Sequence, residues 1–216
     1  MTAYRVRVAE FERVHPETRA EWRAWLAANH ATSPGVWLVQ WRTPTGRRRL
    51  DYEEAVEEAL CFGWIDSLAK GLDSERSMIT MTPRRSTSGW SRSNKERLER
   101  LTAAGLMAPA GLRSVEVAKA NGAWEFLDDV ESLVVPPDLT AALEHDETAV
   151  SGFTMMTPSA KKAILFAVKT AKKPQTRARR IAAAVAEAAE VGRRPPKPPP
   201  PPKPRSDDHH RSTDRG

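Results

Sequence analysis

The stretch DYEEAVEEALCFGWIDSLAKGLDSERSMITMTPRR, residues 51–85, contains one helix pattern followed by two strand patterns. Asp51 is suited to an N-cap, and Glu54 stands at the third helical position, where it can complete a capping box. Apolar residues then recur at helical spacing, at Ala55, Val56, Ala59 and Leu60. The pattern ends at Gly63, so we predict a helix over residues 51–62.

Two segments of alternating character follow this helix. WIDSLAK and RSMITMT flank GLDSE, whose residue types favour a turn, and Pro83 ends the second segment. The sequence therefore predicts a β-hairpin directly after the helix.

Upstream of residue 51, the sequence predicts two more strands and another helix. EFERV is a short strand, and HPETRAEWRAWLAANH is a helix with Pro16 in its first turn. GVWLVQWR is apolar on both faces, which is typical of a strand covered on two sides. We expect this last strand to lie in the centre of the sheet.

Downstream of the hairpin, the pattern is helical. SNKERLERLTAAG offers Ser93 and Glu96 as a capping box, and PAGLRSVEVAKANG has Pro109 near its start. Three further helices are predicted, in PDLTAALEHD, SAKKAILFAVKTAKK and PQTRARRIAAAVAEAAEVG. The fold class is therefore α+β: a small mixed or antiparallel sheet covered by helices, then an all-α helical subdomain.

Tryptophan and proline divide the chain. All seven tryptophans fall within the first 124 residues, and Pro136 and Pro137 follow in a segment that favours extended backbone. We predict an α+β domain with a Trp-rich core over residues 1–130 and a helical subdomain over 131–192. Residues 193–216 contain eight prolines and no large apolar residue, so we predict a disordered, Pro-rich basic tail.

Composition argues against several functional classes. The chain has one cysteine and five histidines without ligand spacing, so we expect no metal and no cofactor. No run approaches the roughly 20 apolar residues that cross a bilayer, so we expect no membrane insertion. The N-terminal residues lack the apolar core of a secretory signal, which favours a cytoplasmic location.

Asp66 is the carboxylate most suggestive of chemistry. It lies two residues after Trp64 in a strand pattern, so the two side chains share a face. A carboxylate against an aromatic surface needs a donor, such as Arg84 or Arg85. It is either an acid, base or ligand anchor in a groove, or half of a structural ion pair. Cys61 has no neighbouring histidine to activate it and is better interpreted as a core residue.

Three blocks of the sequence resemble a known family. DYEEAVEEALCFGWIDS, TPRRSTSGWSRSNKERLERLTAAGLMAPAGL and AKKPQTRARRIAAAV are similar to the signature blocks of the YdeI/OmpD-associated family, also called the bacteriocin-protection family. The family has no established catalytic residues, so the resemblance implies none here. Its label implies an outer-membrane porin partner, but the lack of an export signal argues against porin contact.

The resemblance also indicates where a shared site would lie. The family usually carries a polar Gln-Arg pair before the Thr-Pro-Arg, where this chain has Ile79 and Thr80. WSRSN, residues 90–94, either presents backbone N–H groups to an anion or caps a helix. The candidate groove consists of Trp64, Asp66, Arg84, Arg85, Trp90, Ser91 and Asn94.

Residues 161–180 form a second candidate surface. This segment has eight basic residues and no acidic one, and its candidate nucleic-acid contacts are Lys169, Lys172, Lys173, Arg177 and Arg180. Phosphate contacts of this kind would make the affinity fall steeply with salt. The basic residues of this segment are not interleaved with aromatic residues for base stacking, which favours a solvated helix face instead.

Three functions remain open from the sequence. The first is a non-catalytic binding or stress-protection module that recognises a small molecule, peptide or protein in the groove. The second is an enzyme of unidentified reaction that uses Asp66 with Arg84 or Arg85. The third is nucleic-acid binding through the basic segment 161–180.

Overall fold

The computed structural model describes residues 11–193, and within them the fold is α+β, as predicted. The predicted disordered tail lies outside the described residues, apart from its first residue, Arg193. The chain divides into two compact units, which join between Val135 and Pro136. The limits 1–130 and 131–192 stay a prediction for the full chain.

The first unit contains a four-stranded mixed sheet. Its strands are β1 (Glu12–Val14), β2 (Val36–Trp41), β3 (Trp64–Gly71) and β4 (Arg76–Pro83). Their order in the sheet is β1-β2-β4-β3, so β2 is central, as its two apolar faces predicted. β1 runs parallel to β2, while β4 is antiparallel to both β2 and β3. The pairing of β3 with β4 shifts between Asp66 and Ala69.

Five α-helices and a short 3-10 helix (Thr43–Thr45) complete the described part of this unit. The α-helices are α1 (Arg19–Asn29), α2 (Tyr52–Cys61), α3 (Arg92–Ala103), α4 (Pro109–Ala120) and the single turn α5 (Asp128–Glu131). The capping box predicted for α2 is present, with Asp51 as N-cap and Glu54 at the third helical position. After α2 the chain turns at Gly63, whose φ of 73° is one that glycine adopts without strain.

Two predicted helix starts were wrong by two or three residues. α1 begins after Thr18, whose side chain accepts from the backbone N–H of Glu21, so Pro16 precedes the helix. α3 begins after Ser91, whose hydroxyl accepts from the backbone N–H of Asn94, so the Ser93 and Glu96 box is not used. In both helices a hydroxyl residue earlier in the sequence satisfies the first-turn N–H groups.

The main core fills the space between one face of the sheet and its helices. Trp22 stacks on Trp25 at 5.3 Å between ring centroids, and Trp25 meets Trp64 edge-on at 5.8 Å. Trp37 and Val39 of the central strand are buried on the opposite face. This arrangement accounts for the concentration of tryptophan in the first part of the chain.

The second unit is helical within the described residues. Its helices are α6 (Pro137–Glu144), α7 (Glu147–Met155), α8 (Pro158–Lys169) and α9 (Pro174–Gly192). α7 was missed from the sequence, where only three helices were predicted. α7 and α9 approach so closely that a Cβ on Gly152 would lie 1.8 Å from the carbonyl oxygen of Ala188. Small residues therefore set the distance between these two helices.

Candidate functional site

The first unit contains a cavity of about 360 Å³. Its walls come from the turn after α2, from the segment that follows β4, and from one face of α4. Arg84, Arg85 and Arg113 line it, and no acidic side chain does. A volume of this size matches the lower end of small-molecule sites in proteins.

Arg84 is the most unusual group of the cavity. Its backbone N–H donates to the carbonyl oxygen of Gly63 at 2.9 Å, which fixes the residue just beyond the end of β4. Its guanidinium carbon lies 3.6 Å from the centroid of the Trp90 ring, and its Nη2 donates to the carbonyl oxygen of Gly89. Within residues 11–193, its buried Nε and Nη1 have no hydrogen-bond partner. A buried donor without an acceptor is costly to the folded state.

Burial also weakens the preference of Arg84 for its charged form. Desolvation lowers the pKa of the Arg84 guanidinium to about 10, and this effect outweighs the opposing attraction of the Asp66 carboxylate. An anion in the cavity would favour the charged form, because opposite charges attract.

The segment around Trp90 is held in place from several sides. Trp90 is buried and packs on Trp124 with 5.3 Å between ring centroids. The side-chain amide of Asn121 donates to the carbonyl oxygen of Ser86 at 2.9 Å. A Cβ on Gly89 would lie 2.7 Å from the side chain of Leu127, so the chain passes close to the next segment here. The cation and its aromatic platform are therefore preorganised.

One face of α4 forms the opposite wall. Ala110, Arg113, Ser114 and Val117 line the cavity at the spacing i, i+3, i+4 and i+7. Arg113 is exposed, whereas Ser114 is half-buried and its hydroxyl donates to the carbonyl oxygen of Gly111 at 2.8 Å. A Cβ on Gly111 would lie 2.2 Å from the carbonyl oxygen of Cys61, so glycine lets α4 approach the end of α2.

The structure brings together three of the seven predicted groove residues. Arg84, Arg85 and Trp90 line the cavity. Trp64, Asp66, Ser91 and Asn94 are outside its lining. Ser91 caps α3, and the buried side-chain oxygen of Asn94 accepts from Nη1 of Arg97 at 2.8 Å. The capping interpretation of residues 90–94 therefore accounts for the Ser91 hydroxyl.

Asp66 has a different partner from the two arginines that we expected. The hydroxyl of Tyr52 donates to its carboxylate at 2.8 Å, and no ion pair joins it to Arg84 or Arg85. The reason is that β3 begins directly after the turn at Gly63 and places the Asp66 side chain next to Tyr52, the first residue of α2. Burial, and then the hydrogen bond to Asp66, raise the pKa of the Tyr52 hydroxyl to about 12.

Trp64 and Cys61 belong to the core. The Trp64 ring nitrogen donates to the carbonyl oxygen of His30 at 3.2 Å, and its side chain is buried. Cys61 is also buried, and desolvation raises the pKa of its thiol, which opposes a role as nucleophile. Ile79 and Thr80, at the positions of the family's polar pair, are buried in β4 rather than in the cavity lining.

The basic segment of the second unit is partly engaged within that unit. Arg177 makes a bidentate ion pair with Asp138, with N–O distances of 2.6 and 2.8 Å. Arg180 donates to the Ala167 carbonyl oxygen and to the Thr170 hydroxyl at the end of α8. Lys172 and Lys173 are exposed, and Lys169 is half-buried. Two of the five predicted nucleic-acid contacts, Arg177 and Arg180, therefore have hydrogen-bond partners within the unit.

Among residues 11–193, no cluster of three or more His, Cys, Asp or Glu side chains is arranged to hold a metal ion. Over the same range, every helix falls short of the length or apolar character that a membrane span requires.

Sequence reasoning missed the contribution of α4 to the cavity. Helical periodicity does place Arg113 on one face with Ala110 and Val117. What the pattern lacks is a sign that this face lies opposite Arg84, since the approach depends on Gly111 meeting the backbone of Cys61. That contact joins positions 50 residues apart in the sequence.

These features define an α+β protein with an arginine-lined cavity in its first unit and a helical second unit. Residues 132–190 match the family described as Bacteriocin-protection, YdeI or OmpD-Associated. Residues 14–114 match a domain of unknown function, DUF8412. Neither the curated proteins nor the solved structures include a match to this chain.

The family match confirms the resemblance seen in the sequence. Only one of the three resembling blocks, however, lies within the matched residues. The block AKKPQTRARRIAAAV lies within residues 132–190. The two earlier blocks, which contain all the candidate groove residues, lie within residues 14–114 and so within the domain of unknown function. The cavity and the region that matches the named family are therefore on different parts of the chain.

Proposed function

We propose that the first unit is a non-catalytic binding module that takes a small anionic molecule in the arginine-lined cavity. The observation that carries this proposal is the Arg84 guanidinium, which is largely buried against Trp90 with two nitrogens unpaired within the described chain. A fold keeps such a group at a cost, and a bound anion offsets that cost.

The chemistry of the cavity supports binding rather than catalysis. Its lining offers guanidinium groups, a serine hydroxyl, an aromatic ring and aliphatic side chains. These groups attract and orient an anion, whereas acid–base catalysis needs a group that titrates near neutral pH. Asp66, the acid of the enzyme alternative, lies outside the lining and is hydrogen-bonded to Tyr52. A cytoplasmic location and a protective role remain part of the proposal.

Isothermal titration of the full chain with phenyl phosphate, at low ionic strength, tests the proposal. Phenyl phosphate combines an anion with an apolar ring, and benzyl alcohol serves as the neutral control ligand. We expect binding of phenyl phosphate only, weakened at least about tenfold in Arg84→Gln because the attraction between the guanidinium and the anion is lost.

Arg13→Gln is the matched control protein, because Arg13 is exposed on β1 and the change removes the same charge. It should bind phenyl phosphate as the unsubstituted chain does. Equal affinity in Arg84→Gln, or no binding by the unsubstituted chain, would contradict the proposal.

A further inference from the structure

The charges of the cavity are arranged at two depths. Arg84 is half-buried at the wall that Trp90 forms, with its Nε and Nη1 inaccessible to solvent, while Arg85 and Arg113 are exposed where the cavity meets solvent. No acidic residue lines the cavity, and among residues 11–193 neither Arg85 nor Arg113 forms an ion pair with an acidic side chain. Three cations around about 360 Å³ repel one another and attract negative charge.

A ligand with one negative charge would neutralise only part of this set. An anionic group beside Arg84 offsets the charge of that guanidinium but leaves Arg85 and Arg113 without an anionic partner. A second anionic group on the same molecule would meet both of them. Because guanidinium groups bind carboxylate and phosphate oxygens through paired N–H donors, the outer pair suits either group.

The remaining lining is apolar, which restricts what lies between the two charges. Phe62, Trp90, Ala110, Val117 and Ala118 present ring and aliphatic surface to the cavity. A ligand body that is flat or aliphatic would bury against this surface, whereas a polyhydroxylated body would lose hydrogen bonds to water. Val117 is 44% exposed, and such a ligand body would cover it.

We infer that the cavity binds a small dianion with two carboxylate or phosphate groups separated by an apolar body. One anionic group pairs with Arg84 beside Trp90, and the other pairs with Arg85 and Arg113 at the opening. This inference rests on the proposed function and adds the charge, polarity and orientation of the ligand.

A matched pair of probes isolates the second charge. Terephthalate carries two carboxylates on a benzene ring, and monomethyl terephthalate differs by one ester that removes one charge. Each is titrated calorimetrically into the full chain at pH 7 and low ionic strength. We expect terephthalate to bind about tenfold more tightly, with an affinity that falls more steeply as salt increases.

The double variant Arg85→Gln, Arg113→Gln tests whether the second carboxylate of the ligand binds at the opening of the cavity. Both residues are exposed, so circular dichroism should show an unchanged fold. We expect this variant to bind the two probes equally, because the second carboxylate of terephthalate then has no cation to meet.

The outcomes distinguish a failure of the dianion inference from a failure of the anion site on which it rests. Equal affinity for both probes in the unsubstituted chain would overturn the dianion inference and leave the anion site in place. A tenfold preference that survives in the double variant would also overturn it, because the second charge would then bind elsewhere. If neither probe binds and Arg84→Gln changes nothing, the anion site and the dianion inference both fail.

Discussion

The guanidinium carbon of Arg84 lies 3.6 Å from the centroid of the Trp90 ring, and both residues line the same cavity. The ring attracts the cation through its π face but offers no acceptor to the guanidinium N–H groups. Gly89 supplies one carbonyl oxygen, while Nε and Nη1 have no partner among residues 11–193. The contact therefore fixes the position of the guanidinium but leaves two of its nitrogens without a hydrogen-bond acceptor.

Arg84→Met should raise the free energy of unfolding by about 1 kcal/mol, because it keeps apolar contact with Trp90 and removes buried, unpaired donors. Urea unfolding followed by circular dichroism measures this. Arg97→Met is the control, since Arg97 forms a bidentate ion pair with Glu53 at 2.7 Å for both N–O distances. Removing that satisfied pair should lower stability instead. A loss of stability in Arg84→Met as large as in Arg97→Met would show that Arg84 is a structural residue.

The hydrogen bond from Tyr52 to Asp66 should make stability depend on alkaline pH. The pKa of Tyr52 is raised to about 12 in the folded chain, from an ordinary value near 10. Below pH 10 the hydroxyl is neutral in both states, so its contribution to stability is complete. Between pH 10 and 12 the unfolded chain ionises first, so this contribution is lost as the pH rises.

Ultraviolet difference absorption of tyrosinate, compared between the unsubstituted chain and Tyr52→Phe, measures this pKa. Asp66→Asn should move it towards 10, because the carboxylate acceptor is replaced by a neutral amide. In urea unfolding, Tyr52→Phe should lose less stability than the unsubstituted chain between pH 10 and 12. An ordinary tyrosine pKa near 10 in the folded chain would contradict the contact.

The sequence predicted those parts of the fold that depend on local patterns. The capping box of α2, the hairpin of β3 and β4 and the central place of β2 each follow from residues close together in the chain. α7 was missed because ETAVSGFTM, with Gly152 and β-branched residues, has a weak helical pattern. Its stability comes from close packing with α9, which no local pattern indicates.

The candidate site was predicted only in part, for the same reason. Arg84 and Trp90 were found because they are close in sequence and match the resemblance. The partner of Asp66 was wrong, because Tyr52 lies 14 residues before it on a helix, and its orientation depends on how that helix meets the sheet. The sequence places Arg113 on one face of a helix, but tertiary packing decides that this face lies opposite Arg84.

Gly111→Ala should destabilise the first unit by about 1–3 kcal/mol, the usual cost of overpacking. The added methyl group would lie 2.2 Å from the carbonyl oxygen of Cys61, which is backbone and cannot rotate away. Gly105→Ala is the control, since nothing lies within 4 Å of its Cβ position and its cost is limited to a φ of 67°. Urea unfolding compares the two.

The same substitution should also change the cavity, because α4 forms one of its walls. Phenyl phosphate should bind more weakly to Gly111→Ala, whereas Gly105→Ala should keep its affinity. A Gly111→Ala protein that is as stable as Gly105→Ala and binds normally would show that the contact between α4 and α2 does not define the cavity.

Asp66→Asn separates the binding module from the enzyme alternative. The Asp66 carboxylate acts on Arg84 through its charge, in the direction that raises the Arg84 pKa, yet it lies outside the cavity lining. Any anion that binds at Arg84 is therefore repelled by Asp66. Removing that repulsion should strengthen phenyl phosphate binding modestly, by about threefold at low salt and less at high salt.

Asp73→Asn is the control for net charge, because Asp73 is an acid on the hairpin turn that pairs with Arg76 at 2.6 Å and lies outside the cavity lining. It should leave the affinity unchanged within about 1.5-fold, because a distant, solvent-exposed charge is screened. Titration calorimetry on both variants provides the measurement. If Asp66→Asn weakens binding while Asp73→Asn does not, Asp66 contacts the ligand, as the enzyme alternative with Arg84 or Arg85 requires. If Asp66 acts on the site only through its charge, as in a binding module, Asp66→Asn should strengthen the binding of phenyl phosphate.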